Sequence, residues 1–326
     1  MTLTNESIPI EVHLRADDWA DLVRQDAVAG LTSSPKELSP TWLYDDRGCE
    51  LFEQITRLPE YYPTRTERSI LAERAAEIAT VSGADTLIEL GAGSSEKTRV
   101  LLDAMAAGGR LRRFELFDVA EPTLRATAEA VAEEYPDLDV SGVVGDFRRH
   151  LDRITTGGRR MIAFLGGTIG NFAPSERAAL LSELAATMAP GDTLLLGTDL
   201  VKDTGRLVAA YDDAAGVTAA FNKNVLAVLN RELGADFDLE CFDHVARFDL
   251  DHEWIEMRLR SRGRQKVWVE ALDLALDFDD GEDIRTEISA KFRPLGVRSE
   301  LAAAGLRLAG WWTDPDGDYG LSLSVR

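Results

Sequence analysis

Leu87-Ile88-Glu89-Leu90 runs directly into Gly91-Ala92-Gly93-Ser94-Ser95-Glu96-Lys97. Buried-strand residues followed by two glycines one residue apart make a sharp turn that a ligand can approach closely. A helix-compatible run, Thr98 to Met105, follows. In a dinucleotide fingerprint the third glycine would fall at position 96, and that residue is Glu96. A carboxylate at a helix N-terminus repels the phosphates that NAD or FAD would bring, which disfavours a dehydrogenase. The loop suits a nucleoside without phosphates, of which S-adenosylmethionine (SAM) is the common one. Glu89, just before the strand end, either ties down loop amides or meets the ligand.

The next apolar stretches carry further polar groups at their ends. Asp118 closes Leu116-Phe117-Asp118. A carboxylate there accepts both ribose hydroxyl protons, or caps the following helix. Asp146-Phe147 follows the third stretch, where Asp146 can accept from an adenine amino group and the neighbouring backbone N–H can donate to the ring; a plain turn is the other reading. Gly166-Gly167-Thr168-Ile169-Gly170-Asn171 follows the fourth. Glycines so dense are costly unless the backbone must clear something, such as the room a methylated nitrogen needs. Asn171 offers both donor and acceptor, suited to a carboxylate or an amine. Tyr61 and Tyr62 precede Pro63, and Tyr211 lies in a helical stretch. Glu287 and Ser289 alternate on one strand face. Taken singly, these last residues read as packing or surface.

The elements needed to position these groups are legible in outline. Strands are expected at 86–90, 113–117, 140–144, 161–165 and 193–197, with helices at 96–107, 121–134 and 175–188 between them. A helix from Thr66 to Thr80 would start at a capping box, Thr64 to Glu67. Alternating strands and helices make a parallel sheet covered on both faces, with ligands beyond its carboxyl ends. The texture changes after Thr198. Residues 204–234 look helical, while 253–260 and 266–278 look like long strands. Leu306 to Thr313 and Tyr319 to Val325 form a hairpin around Asp314-Pro315-Asp316-Gly317. Such a hairpin, with one antiparallel strand, closes a class I methyltransferase sheet. The expected fold is therefore α/β, a Rossmann-like class I SAM-dependent methyltransferase sheet with an inserted α+β substrate-binding domain. The SAM domain spans 65–201 plus 292–326, and the substrate domain 13–64 plus 202–291.

The 326 residues are 45% hydrophobic and carry a net charge of −21. That charge disfavours nucleic acid and anionic membrane surfaces as partners. No run of about 18 apolar residues occurs, and the N-terminus lacks a signal-peptide pattern, so a cytoplasmic protein is expected. Cys49 and Cys241 are far apart, and four histidines form no ligand pair, so no metal is expected.

Several longer stretches carry a family likeness. Pro59-Glu60-Tyr61-Tyr62-Pro63-Thr64-Arg65-Thr66-Glu67, Trp42-Leu43-Tyr44-Asp45, the Gly91 loop, the Gly166 loop, Leu196-Gly197-Thr198-Asp199-Leu200, Tyr211 to Asn222 and Lys291-Phe292-Arg293-Pro294 together resemble the histidine-specific SAM-dependent methyltransferases. The likeness covers nearly the whole chain after about residue 14. It implies trimethylation of the histidine α-amine to hercynine, the first step of ergothioneine biosynthesis. It also implies that Gly91, Lys97, Asp118, Asp146 and Phe147 hold SAM, and that Tyr61, Asn171, Tyr211, Glu287 and Ser289 hold histidine and its methylated intermediates. In the family pattern the first tyrosine, the carboxylate and the serine address the imidazole, while the asparagine and second tyrosine address the amino-acid end. No catalytic base is required, because the site has mainly to align a neutral amine. The alternatives are another amino acid or small amine as acceptor, and a non-catalytic SAM-binding regulatory protein.

Overall fold

The structure is a computed structural model that describes residues 8–326. In chain order the elements are β1 (Ile10–Val12), α1 (Ala16–Leu31), β2 (Lys36–Glu37), α2 (Asp46–Thr56), α3 (Pro63–Ser82), β3 (Thr86–Leu90), α4 (Thr98–Ala107) and β4 (Arg113–Asp118). There follow α5 (Glu121–Glu134), β5 (Asp139–Val144), β6 (Arg160–Phe164), α6 (Pro174–Thr187), β7 (Thr193–Asp199), α7 (Thr204–Ala209) and α8 (Val217–Leu233). Then come β8 (Phe242–Asp249), β9 (Trp254–Ser261), β10 (Gln265–Val269), β11 (Leu274–Phe278), β12 (Asp283–Ala290), α9 (Pro294–Ala303), β13 (Arg307–Thr313) and β14 (Tyr319–Val325).

Eight strands form the main sheet in the order β1-β5-β4-β3-β6-β7-β14-β13. Neighbours from β1 through β7 are parallel, and β14 runs antiparallel to both β7 and β13. Strand order reverses at β3, with β4 on one side and β6 on the other, and such a switch point opens a crevice at the carboxyl ends. This is the class I methyltransferase sheet, extended at one edge by β1. That strand lies in the N-terminal stretch outside the family likeness, so its sequence gave no hint of the pairing. Every residue of β3, β6 and β7 is buried, as in a sheet covered on both faces. Leu87, Leu101, Phe114 and Leu116 pack on one side, and Ile88, Phe117, Ile162 and Leu184 on the other.

A second sheet, β2-β12-β9-β8, and a two-stranded sheet, β10-β11, hold the remaining strands. Helix α8 lays Phe221, Val225, Leu226 and Leu229 against Ile255, Leu259 and Ile284 of this sheet, with Leu43 and Leu51 in the same apolar cluster. No helix among the described residues is long and apolar enough to cross a membrane.

Three local expectations are corrected. Residues 266–278 are two antiparallel strands, β10 and β11, joined through the 3-10 turn Glu270–Leu272. The alternation that suggested one strand persists because Val267 faces Leu276 and Val269 faces Leu274 across the hairpin. Asp273 makes the turn without glycine or proline, at φ +48°. Helix α3 begins at Pro63, and Glu67 is wholly buried instead of capping it. The run 204–234 breaks into α7 and α8, with Tyr211 in the connection and Asp213 accepting from the Val217 and Thr218 N–H groups.

Candidate active site

A cleft of about 1820 Å³ opens at the carboxyl ends of the main sheet, between it and the second sheet. All ten residues singled out as binding groups line it. That volume exceeds the range of about 300–1,000 Å³ usual for one small ligand, and accommodates two side by side.

The half built on β3 to β5 has the form of a nucleoside site. Gly91 and Gly93 adopt φ +73° and +50°, which glycine takes without strain, and a Cβ at either would meet nothing within 4 Å. Asp118 ends β4; its Oδ2 accepts from Gly93 N–H at 2.9 Å and its Oδ1 from Ala120 N–H at 3.0 Å. Each oxygen keeps a further acceptor position, which is what two ribose hydroxyls need. Burial raises the Asp118 carboxyl, and the hydrogen bonds from Ala120 and Gly93 oppose the rise. Glu89 lines the cleft and takes the hydroxyls of Ser95, at 2.6 Å, and Thr98, where loop amides were one expectation. Burial pushes its carboxyl up to about 7 against those two hydrogen bonds. Asp146 is paired with Arg148, whose guanidinium also reaches Thr41 at 2.8 Å. Phe147 packs edge-on against Phe164 with ring centroids 5.3 Å apart. Lys97 is ion-paired with the buried Glu67, which also accepts from Gly166 N–H at 2.9 Å and Tyr319 Oη at 2.9 Å. The residues present therefore fit SAM: open glycine backbone, a ribose acceptor, an aromatic wall, and no anion cradle.

The other half is contributed by the segment before α3, the turn after β6, the turn after α7, and β12. Arg65 donates to the carbonyls of Leu58, Pro59 and Tyr61, fixing the loop that carries Tyr61. Proline at the first helical position then sets the chain into α3. Tyr61 stands edge-on to Phe52 and Tyr211, with centroids 6.1 and 6.2 Å away. Asn171 ends the 3-10 turn Thr168–Asn171, and its carboxamide makes no hydrogen bond among the described residues. Of the glycines before it, Gly166 and Gly167 line the cleft, while Gly170 answers to packing. Gly166 and Gly167 sit at φ +77° and +71°. Gly170 lies so close to β12 that a Cβ would be 3.0 Å from Ala290 O.

Tyr211 is held from behind. Its carbonyl accepts from His244 Nε2 at 2.8 Å; His244 Nδ1 accepts from the Asn222 amide at 2.9 Å, and Thr286 Oγ lies 2.5 Å from Asn222 Oδ1. The Tyr211 hydroxyl is 2.7 Å from Ser289 Oγ. Glu287 is 7% exposed, yet its carboxylate has no hydrogen-bond partner among the described residues. Burial pushes it up to about 7, with the Lys291 charge working in the other direction. Burial also pushes the hydroxyls of Tyr44, Tyr61 and Tyr211 well above the usual phenol range, with Glu287 adding to each, so all three stay protonated.

Sequence reading missed a buried ionic group beneath these residues. Asp199, at the end of β7, accepts from Tyr62 Oη at 2.8 Å and pairs with Lys202 and Lys291. Burial raises its carboxyl, but the two ammonium groups outweigh that and hold it below the usual range. All four residues lie in or beside the family-like stretches, but only folding brings them together. Elsewhere, Asp314, Asp316 and Asp318 are the one carboxylate cluster among the described residues tight enough to share a cation. Asp314 already accepts three backbone N–H groups and Asp318 pairs with Arg206.

Comparison with known proteins agrees with this arrangement. A family described as "Histidine-specific methyltransferase, SAM-dependent" matches residues 23–326. A histidine N-alpha-methyltransferase of Mycolicibacterium smegmatis is 62% identical over 96% of this chain and 98% of its own length. One of Mycobacterium tuberculosis is 57% identical over 98% of this chain and 99% of its own. Ergothioneine biosynthesis protein 1 of Neurospora crassa is 34% identical over 90% of this chain, which spans 33% of that longer protein. Matched from residue 23 to residue 326 and carrying a cleft with a nucleoside-like half and a polar, partly uncommitted half, this chain belongs to the histidine-specific SAM-dependent methyltransferase family.

Proposed function

We propose that this protein transfers methyl groups from SAM to the α-amine of L-histidine, three in all, giving hercynine for ergothioneine biosynthesis. The names of its relatives support the substrate and the pathway. The observation that carries the reading is Glu287, a buried carboxylate with no hydrogen-bond partner among the described residues, beside the Ser289 hydroxyl. A neutral imidazole has one N–H and one bare nitrogen, so it needs an acceptor and a donor. Glu287 accepts and Ser289 donates; Tyr61 closes over the ring. Asn171 and Tyr211 address the amino-acid end, and Gly91, Lys97, Asp118, Asp146 and Phe147 hold SAM.

SAM supplies an electrophilic methyl group on a sulfonium. The chain's task is to hold a neutral amine in line with that methyl, at about 3–3.5 Å, and to exclude competing nucleophiles. No dedicated base is assigned, since a neutral fraction of the amine exists near pH 8 and its protons leave through water. The acidic cleft suits cationic ligands and repels phosphates. The same charge sets the whole protein against nucleic acid and anionic membranes, and we read it as a two-domain cytoplasmic enzyme with the boundaries given above.

The direct test is mass spectrometry after incubation with SAM and a pool of free amino acids. Histidine should gain three methyl groups while the other amino acids stay unmodified. Methylation of a different amino acid, or binding of SAM without turnover, would replace this reading.

A further inference from the structure

Lys291 follows directly on the strand that bears Glu287 and Ser289, and its side chain is wholly enclosed. Its ammonium has three protons and three acceptors around it: Ser289 Oγ at 2.8 Å, Tyr211 Oη at 3.0 Å and Asp199 Oδ2 at 3.0 Å. None of these bonds can reverse, because an ammonium has no lone pair. Asp199 is in turn fixed by Tyr62 and Lys202, so Lys291 has little freedom to turn away.

Ser289 and Tyr211 are also bonded to each other, at 2.7 Å. Two hydroxyls together bring two protons and four lone pairs. Their mutual bond uses one proton and one lone pair. Lys291 fills one lone pair on each oxygen. One proton and one lone pair remain for a ligand, and they sit on different oxygens. When Tyr211 donates to Ser289, both Ser289 lone pairs are filled and its proton is free. Ser289 is then a donor only. Without the ammonium it would keep a spare lone pair and could meet an N–H as well as a bare nitrogen.

We infer that Lys291 is a positioning residue for the substrate ring: by occupying one acceptor site on each of two hydroxyls it leaves one donor and one acceptor between them, on different oxygens, and with Tyr211 donating to Ser289 it makes Ser289 a pure donor, which selects the imidazole form whose N–H lies at Glu287. The inference rests on the ring-pocket reading above, and Lys291 itself does not touch the substrate. A second consequence concerns charge. The groups facing Glu287 are the protonated hydroxyls of Tyr44, Tyr61 and Tyr211 and the ammonium of Lys291, itself balanced by Asp199 and Lys202. Lys291 is the cation among them that favours the ionised form of Glu287. Its loss moves Glu287 ionisation to higher pH.

The test is Lys291→Met, which keeps the chain length and removes the donors. Histidine KM should rise at least about tenfold, the loss expected for one charge-assisted contact. SAM affinity by calorimetry should stay at its parental value. The acid limb of kcat/KM for histidine should move to higher pH; titration of histidine itself is common to both proteins and cancels. Ser289→Ala should also raise KM, and the double variant Ser289→Ala/Lys291→Met should be little worse than either, because one acts through the other. If Lys291→Met unfolds, the charge-balanced Lys291→Met/Asp199→Asn carries the same expectations. An unchanged KM and pH limb in the lysine variant, or full additivity with Ser289→Ala, overturns the inference alone. An unchanged KM in Ser289→Ala overturns the ring-pocket reading and this inference with it.

Discussion

Asp118 is half-buried and Glu287 buried; their partners differ, and so do the losses expected on removing them. Asp118 is anchored by two backbone N–H groups and retains acceptor capacity. Asp118→Ala should therefore weaken SAM by about 1.5–3 kcal/mol, the value of a hydrogen bond to a charged group, and leave histidine affinity nearly intact. Titration calorimetry with each ligand separates the two effects; equal loss for both would point to a collapsed loop. Glu287 has no hydrogen-bond partner among the described residues, so its removal leaves no hydrogen-bonding group among them unpaired. Glu287→Met together with Ser289→Ala should raise histidine KM and relax discrimination against tryptophan, because an apolar pocket no longer penalises a ring lacking the right polar atoms. Initial rates with both amino acids at saturating SAM measure that ratio. A ratio at its parental value would remove both residues from the ring pocket.

The turn after β6 and strand β12 come from distant parts of the chain, and Gly170 is where they touch. A Cβ there would lie 3.0 Å from Ala290 O, 3.2 Å from Ala290 N and 3.6 Å from Ser289 Oγ. Backbone atoms on an interior strand cannot retreat as the end of a flexible side chain can, so Gly170→Ala should push the Asn171 turn off the strand bearing Glu287 and Ser289. Histidine KM should rise several-fold, while SAM affinity, set by loops of β3 to β5, should hold. Calorimetric SAM binding alongside steady-state kinetics checks this. Parallel loss of both ligands would show that the disturbance spreads through the main sheet. Helix α3 makes a comparable joint: Glu67 ties the Lys97 loop, Gly166 and Tyr319 together, so one helix behind Tyr61 steadies three strand ends at once.

The folded chain holds two carboxyls, Glu89 and Glu287, pushed up to about 7 by burial. In the unfolded chain both titrate at the ordinary value of about 4.5. Between these values the folded state keeps protons that the unfolded state has released, so stability from these groups is full below about pH 4.5 and is lost as pH rises towards about 7. This is opposite in sign to the salt-bridged acids such as Asp283, whose lowered carboxyl contributes above the ordinary value and fails on acidification. Glu287→Gln should remove one such slope. Its unfolding free energy should fall less than the parental value between about pH 5 and pH 8, by an amount on the order of 3 kcal/mol at most. Denaturant unfolding across that range supplies the comparison; parallel curves would mean that Glu287 is ionised in the resting fold.

The alternating βα pattern was readable because each parallel strand is a short apolar run and each helix has its own start and stop signals, both local properties. The helix Glu121–Glu134 and the strand Thr86–Leu90 have the bounds expected from sequence. The glycine loop and the placing of Asp118 at a strand end were readable for the same reason: strand, loop and carboxylate follow one another along the chain. The half proposed for histidine was named through family likeness, because Tyr61, Asn171, Tyr211 and Glu287 line one cleft across separations that no local pattern encodes. What only the tertiary structure decided are the partners. Asp199, Lys202, Lys291 and Tyr62 form one buried group, Glu67 joins three strand ends where a helix cap was expected, and β1 pairs with a strand more than a hundred residues away. A hydrogen bond or ion pair inside a protein is fixed by which surfaces the hydrophobic cores bring into contact, and that choice is made by packing over the whole chain.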